Sequence, residues 1–200
     1  MWRLGPQWLD EARLAKAWRE ATPFPHLVFD DFVADDAMAG LFESLEEEPV
    51  ERYEGDILAF EASAPEPATR EMAALRDDFA QLLAAPLTRI TGKAVRRADM
   101  RAYAYRVGHY LLPHADHQDG LGRALAFAYY LPSPEPPEGG ELELFRCAIV
   151  DGALTSTVPD RRIAARGNRL VIFDVSDVSL HQVCEVLRGL RISLAGWFYP

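Results

Sequence analysis

From about residue 95 onward the apolar residues come in short runs, MRAYAYRVGHYL, RALAFAYYL, GGELELF, RLVIFDV and RISLAGWFY, separated by turns such as HQDGLG, PSPEPPEGG and ARGN. Runs of this kind, alternating or continuous, rich in aromatic and β-branched residues and bounded by Gly, Pro, Asn and Asp, read as strands. The second half is therefore expected to be all-β, and strands this short with irregular turn spacing suit a sandwich or jelly roll. PSPEPPEGG is too short to link domains and reads as a loop between strands. No repeat at a fixed period shows.

The first half has a different texture. In WLDEARLAKAWREA the residues Trp8, Ala12, Ala15 and Trp18 recur near helical spacing, as do Met38, Leu41, Phe42 and Leu45 in MAGLFESLEEE. Asp35 and Asp36 stand where N-cap and first-turn acids belong. Leu27 to Phe32, behind Pro23 and Pro25, is expected as a strand. EGDILAFEASAPEP reads as a looser stretch. Met72, Leu75, Phe79 and Leu82 then restore helical spacing until Pro86, where a break is expected, followed by a second helix or short turn up to Gly92. The expectation is one α+β domain over residues 1–200, with mostly helical support over 1–94 and a jelly-roll core over 95–200.

With 49% hydrophobic and 26% charged residues the chain can bury one sizeable core, and it is neither disordered nor fibrous. The formal net charge of -10 disfavours nucleic acid and anionic membranes as partners and suits a basic one. Cys147 and Cys184 lie far apart and outside any C-x-x-C, which excludes a disulfide framework and a zinc ribbon and suits a reduced, cytoplasmic chain. Both read as small apolar fillers of strands. No window approaches the apolar length of a membrane span, and MWRLGPQWLDEARLAK carries acids where a signal peptide is apolar. Neither membrane spanning nor export is expected.

Imidazole chemistry has five residues to draw on: His26, His109, His114, His117 and His181. His114 and Asp116 flank Ala115, and in an extended segment residues i and i+2 share a face, so an imidazole and a carboxylate converge while His117 points away. His181, in DVSLHQVCEV, offers a third ligand from a distant strand. Two histidines and a carboxylate on one face of a metal leave the other positions open, the arrangement of non-haem Fe(II) oxygenases; catalytic zinc is the competing assignment. Arg191 stands in LRGLRISLAGWFY among Ile192, Leu194 and Trp197. A guanidinium facing the core there is costly unless it holds an anion. Ser193 shares its face and adds a hydroxyl to the clamp. A buried salt bridge to a protein acid is the alternative. Triad and clamp together suit a co-substrate that chelates metal and carries a distant carboxylate, as a 2-oxo diacid does.

The ordered motifs YRVGHYLLPHAD, RALAFAYYLP, EGGELELF, RGNRLVIFD, SLHQV and RISLAGWF, within roughly residues 99–200, resemble the Fe(II)- and 2-oxoglutarate-dependent dioxygenases. Within them the chain is most similar to the prolyl hydroxylase branch, which includes the oxygen-sensing enzymes and the ribosomal-protein prolyl 3-hydroxylases. PFPHLVFDDFV followed by a helix also resembles the start of the ribosomal-type enzymes. The resemblance implies a double-stranded β-helix, a jelly roll with supporting N-terminal helices. It implies that His114, Asp116 and His181 bind Fe(II) and that Arg191 pairs with the far carboxylate of 2-oxoglutarate. Tyr130 matches a tyrosine whose hydroxyl helps hold that carboxylate, Tyr105 one that lines the pocket near co-substrate or substrate, and Trp197 an aromatic beside the iron where substrate approaches. Core packing alone would also account for Tyr130 and Trp197. The implied reaction hydroxylates a C–H bond, with ascorbate as an accessory reductant. Its target is a prolyl residue in a protein or peptide, with a free amino acid or small metabolite as the alternative. A catalytically silent jelly-roll binding module is the reading from a different class.

Two departures bear on the substrate and leave the iron chemistry untouched. Leu131-Pro132 and the long PSPEPPEGG turn stand where relatives often have Leu-Asn, and the second catalytic-like domain of eukaryotic ribosomal-type enzymes has no counterpart before Pro200. Gly139-Gly140 reads as a tight turn feeding a strand, and no G-x-S-x-G elbow is present. Arg161, Arg162, Arg166 and Arg169 read as a solvated basic loop, with substrate steering as the functional alternative. Glu46, Glu47 and Glu48 read as a helix end facing water.

Overall fold

The computed structural model describes residues 2, 3, 5–151 and 153–200, apart from the side chains of Asp35 and Asp36. Its helices are α1 (Glu11–Glu20), α2 (Asp35–Glu43) and α3 (Arg70–Thr91). The strands are β1 (His26–Asp30), β2 (Val50–Gly55), β3 (Leu58–Ser63), β4 (Arg97–Ala98), β5 (Arg101–Tyr105), β6 (Tyr110–His114) and β7 (Leu125–Leu131), followed by β8 (Glu138–Gly139), β9 (Leu142–Val150), β10 (Ala153–Ile163), β11 (Arg169–Asp174), β12 (His181–Val183), β13 (Val186–Arg188) and β14 (Arg191–Tyr199). One antiparallel sheet runs β1-β11-β7-β14-β5-β3-β6-β12-β9-β10, with β2 beside β3 and β4 beside β14; β8 and β13 form a separate ribbon. The path curls on itself, giving the expected jelly roll.

The strand β7 shows why the roll is hollow. All seven of its residues are buried, because helices cover one face of the sheet and its other half covers the inner face. Leu125, Phe127, Tyr129 and Leu131 face outward and pack with Leu170, Ile172, Leu194 and Phe198 against Met72, Phe79, Leu83 and Leu87 of α3. Ala126, Ala128 and Tyr130 face inward with Val171 and Phe173, opposite Leu142 and Leu144 of β9. The alternation is therefore large outward and small inward at the alanines, so the helices close on a dense core while space remains inside.

Four expectations change. The helix α3 does not break at Pro86: it runs through to Thr91 and stops where Gly92 takes a left-handed φ of 74°. Pro86 forgoes one helical hydrogen bond, but it is buried between Leu83 and Leu87, both with 0% exposure, and that packing outweighs the lost bond. The looser stretch is the hairpin β2–β3, and β1 pairs with β11, so residues 1–94 supply sheet as well as helical support. The strand expected over 27–32 is His26–Asp30, ended by Asp31 at a left-handed φ of 52°. Glu48 does not face water: it is buried, and its carboxylate accepts from the Ala68 and Thr69 amides at 2.9 Å and from the Thr69 hydroxyl at 2.6 Å. Thr69 in turn caps α3 through Met72 N, so an acid outside the helix anchors its start.

Smaller differences follow the same logic. The N-cap of α2 is Ala34; the side chains of Asp35 and Asp36 lie outside the described residues. Arg161 and Arg162 belong to β10 and Arg169 to β11, and three of the four arginines are paired: Arg162 with Glu143, Arg169 and Arg166 with Asp30. Glu138 and Gly139 of PSPEPPEGG form β8. Cys147 sits in β9, Cys184 in the link between β12 and β13, and both are free. Among the described residues no helix is long and apolar enough to cross a membrane.

One glycine is needed for the end of β14. A Cβ at Gly196 would lie 2.5 Å from the Asp99 carbonyl oxygen and 2.7 Å from its Oδ1. That carboxylate also accepts from Trp197 N at 2.6 Å and from the Tyr199 hydroxyl at 2.7 Å. Gly196→Ala is expected to cost about 1–3 kcal/mol and lower Tm by about 2–12 °C, read by calorimetry. An unchanged Tm would mean that Asp99 moves freely.

Candidate active site

His114 ends β6 and His181 begins β12, and the two are direct partners across that ladder. Asp116 lies just past the strand end, and its buried carboxylate turns back toward both rings. The ring centroids are 4.3 Å apart. Oδ1 of Asp116 stands 3.8 Å from His114 Nε2, and Oδ2 stands 3.5 Å from His181 Nε2. Nδ1 of His114 is 2.9 Å from the Leu112 carbonyl oxygen and Nδ1 of His181 is 3.0 Å from that of Ser179. A carbonyl oxygen can only accept, so each Nδ1 carries the proton and each Nε2 is left as a lone pair.

Burial holds the His181 imidazole well below the usual histidine range, against the opposing pull of Asp116. A neutral imidazole makes no ion pair with a carboxylate. Lone pairs on two nitrogens and an oxygen, with their ligand atoms all within 4.8 Å, repel one another unless a cation stands among them. The residues present therefore fit a metal, and two imidazoles with one carboxylate fit non-haem iron.

The triad opens on a cavity of about 360 Å³ inside the roll. Its opposite wall is a row set by the β14–β5 register, Arg191 beside Tyr105, Ser193 beside Tyr103 and Ala195 beside Arg101. Arg191 is buried, donates to Ser193 Oγ at 3.2 Å, and holds its guanidinium 4.6 Å from the Tyr105 ring centroid and 4.9 Å from that of Tyr130. It forms no ion pair among the described residues, so a protein acid does not occupy it. Arg191 Nε and the Tyr130 hydroxyl are both buried without a hydrogen-bond partner. Donors left over beside a buried cation fit an anionic acceptor such as a carboxylate.

Tyr130 is fully buried in the inner core and does not line the open cavity, whereas Tyr105 does. Burial pushes the Tyr105 phenol up, keeping it neutral. Trp197 lines the far end, with the Arg123 guanidinium 3.5 Å above its ring centroid. His117 stands apart, with Nε2 3.5 Å from both Asp119 and Asp177. His109 is buried outside the triad, and His26 lies on β1 with Nδ1 on the Phe24 carbonyl. Sequence reasoning missed Arg101, Tyr103 and Arg123 as lining residues. For the first two a signal existed: in MRAYAY they alternate with Tyr105 and so share its face.

Comparison with known proteins bears on this geometry. Residues 100–199 match the model of the 2OG-Fe(II) oxygenase superfamily. The mouse protein named prolyl 3-hydroxylase OGFOD1 is 32% identical over 206 residues, covering 94% of this chain and 37% of the mouse protein, so the chain spans little more than a third of that relative's length. A Pseudomonas putida prolyl-4-hydroxylase superposes with a TM-score of 0.68 at 20% identity, over 93% of this chain and 98% of that one. A Trichoplax adhaerens prolyl hydroxylase, solved with a hypoxia inducible factor peptide fragment, gives 0.69 at 14% identity, over 96% of this chain and 92% of its own.

Proposed function

Since the chain belongs to the 2OG-Fe(II) oxygenase superfamily, we propose that it hydroxylates a prolyl residue of a protein or peptide, with Fe(II) on His114, Asp116 and His181 and 2-oxoglutarate on Arg191. The observation that carries this reading is the pairing of a His-Asp-His corner, its ligand atoms all within 4.8 Å of one another, with a buried guanidinium that has no acid partner, in one cavity. The prolyl target is supported by the relatives named as prolyl hydroxylases. The cytoplasm is the proposed compartment, in keeping with two free cysteines.

Bound iron and 2-oxoglutarate supply an oxidant able to break an unactivated C–H bond. The chain's own residues do the positioning. The Leu112 and Ser179 carbonyls hold both imidazoles in the tautomer that presents Nε2, and Asp116 adds the anionic ligand. Arg191 grips the distant carboxylate, oriented by Ser193 and by the faces of Tyr105 and Tyr130, with the Tyr130 hydroxyl as a further donor. Ala126, Ala128 and Phe173 keep the floor apolar, which strengthens each charge contact by excluding water. Trp197 and Arg123 form the wall past Asp116 where a substrate would lie.

The test is mass spectrometry of proline-containing peptides and of cell extract after incubation with Fe(II) and 2-oxoglutarate. The expected result is a gain of one oxygen, about 16 Da, on a prolyl residue, dependent on both additions. Oxygen gained only by small molecules would end the protein-substrate reading, and absence of any iron-dependent succinate would favour a silent binding module.

A further inference from the structure

The cavity has a second cationic end that the binding of 2-oxoglutarate leaves unused. Arg101, opposite Ala195, lies four residues along β14 from Arg191, about 13 Å at the rise of a strand. Trp197 follows two residues on, carrying Arg123 on its ring. Both guanidinium groups are held in place. Arg101 Nε donates to the Ser63 carbonyl at 2.6 Å, and the group sits 5.0 Å from the Tyr53 ring centroid and 5.4 Å from that of Tyr103. Arg123 Nη1 donates to the Asp116 carbonyl at 3.2 Å.

What remains is all of one kind. Arg101 Nη2, Arg123 Nε and Trp197 Nε1 are buried and have no hydrogen-bond partner, and all three side chains line the same cavity. Neither arginine forms an ion pair among the described residues. Asp99 is engaged by Trp197 N and the Tyr199 hydroxyl, and Asp116 belongs to the triad. Three unsatisfied donors, two of them cationic, are matched by an acceptor that brings several lone pairs and a negative charge. Ala195, small and directly opposite Arg101, leaves room for it.

We propose that this end of the cavity binds a carboxylate of the substrate through Arg101 and Arg123, so that the chain acts on a residue that carries or adjoins an acid. The inference rests on the oxygenase reading of the triad and Arg191. Where net charge alone favours a basic partner, the lining of the cavity favours an acidic group at the reacting end. The carboxylate has two sources, an acidic side chain in a peptide or the α-carboxylate of a free amino acid.

The test is calorimetric binding to the protein loaded with Mn(II) and 2-oxoglutarate, which does not turn over. The probes are short peptides with a central proline flanked by Asp, Asn or Lys, together with L-proline and L-prolinamide. One acidic probe is expected to bind about ten- to a hundredfold tighter than its neutral counterpart, the size of one charge-assisted contact. Arg101→Gln closes that gap and Arg101→Lys keeps part of it. Arg123→Gln is read the same way, so failure of one variant to fold leaves the other. Equal binding of acidic and neutral probes, no binding by any acidic probe, or a preference that survives both glutamine variants overturns the proposal. A preference for L-proline over L-prolinamide with no peptide bound supports the carboxylate subsite while ending the protein-substrate reading, so the two fail separately.

Discussion

Asp116→Ala is expected to abolish the iron-dependent conversion of 2-oxoglutarate to succinate and to weaken Mn(II) or Fe(II) binding by at least about a hundredfold, since even groups that only support a ligand are worth about 10–100-fold. The same substitution leaves the His114 and His181 rings 4.3 Å apart, each still held through Nδ1 on a backbone carbonyl, without the carboxylate that crowds their Nε2 lone pairs. The metal-free variant should therefore melt no lower than the metal-free parent. This combination separates a ligand from a structural acid: a buried carboxylate that served stability would lower Tm when removed. Equilibrium dialysis gives the metal affinity and calorimetry the melting temperature. Retained metal binding together with a lower Tm would overturn the assignment.

The second large effect concerns Arg191→Met. Loss of the partner of a buried carboxylate costs about 3–5 kcal/mol, so 2-oxoglutarate is expected to bind about 150- to 4000-fold more weakly. The sign on stability runs the other way. Arg191 is 4% exposed and has no acid partner in the free protein, so its desolvated charge is offset only by Ser193 Oγ and the Tyr105 and Tyr130 faces, and methionine at this position should hold or raise the Tm measured without co-substrate. Protection of the parent by added 2-oxoglutarate, absent in the variant, is the companion measurement. If the variant binds 2-oxoglutarate like the parent, the anion is held elsewhere.

Much of this site was legible because its residues obey local rules. His114 and Asp116 read as a converging pair from the two-residue period of extended chain, and Arg191 declared itself as a cation in an apolar run. LAFAYYL read as a strand from composition alone, and its alternation of large and small residues located the hollow inside the roll once the covering layers were known. The unread parts depend on distant partners. EGDILAFEASAPEP carries acids and a turn, and becomes a hairpin because β5 and β6 both accept β3. Glu48 is an ordinary surface acid until the Ala68 and Thr69 amides meet it. Alternation puts Arg101 on the face of Tyr103 and Tyr105, but nothing local reveals that the Ser63 carbonyl and the Tyr53 ring of the β2–β3 hairpin hold its guanidinium.

The position of β3 has a kinetic consequence. This strand bridges the two halves of the roll: β2 covers one of its edges, and the other edge meets β5 at Glu61 and Ala62 and β6 at Leu58 and Ala59, all within residues 58–63, well before the segment that carries the triad. At the opposite margin β1 pairs its His26 with Phe173, far along the chain. During synthesis from the N-terminus β1 emerges long before β11, and β3, already paired with β2, keeps its other edge open until β5 and β6 follow; contacts of such sequence separation make folding slow. His181 joins His114 only after β12 has been made, so the metal corner is among the last places to form. A fragment trimmed to residues 100–199 would keep every ligand and lose the strand that bridges β5 to β6, leaving the triad on a roll that has come open.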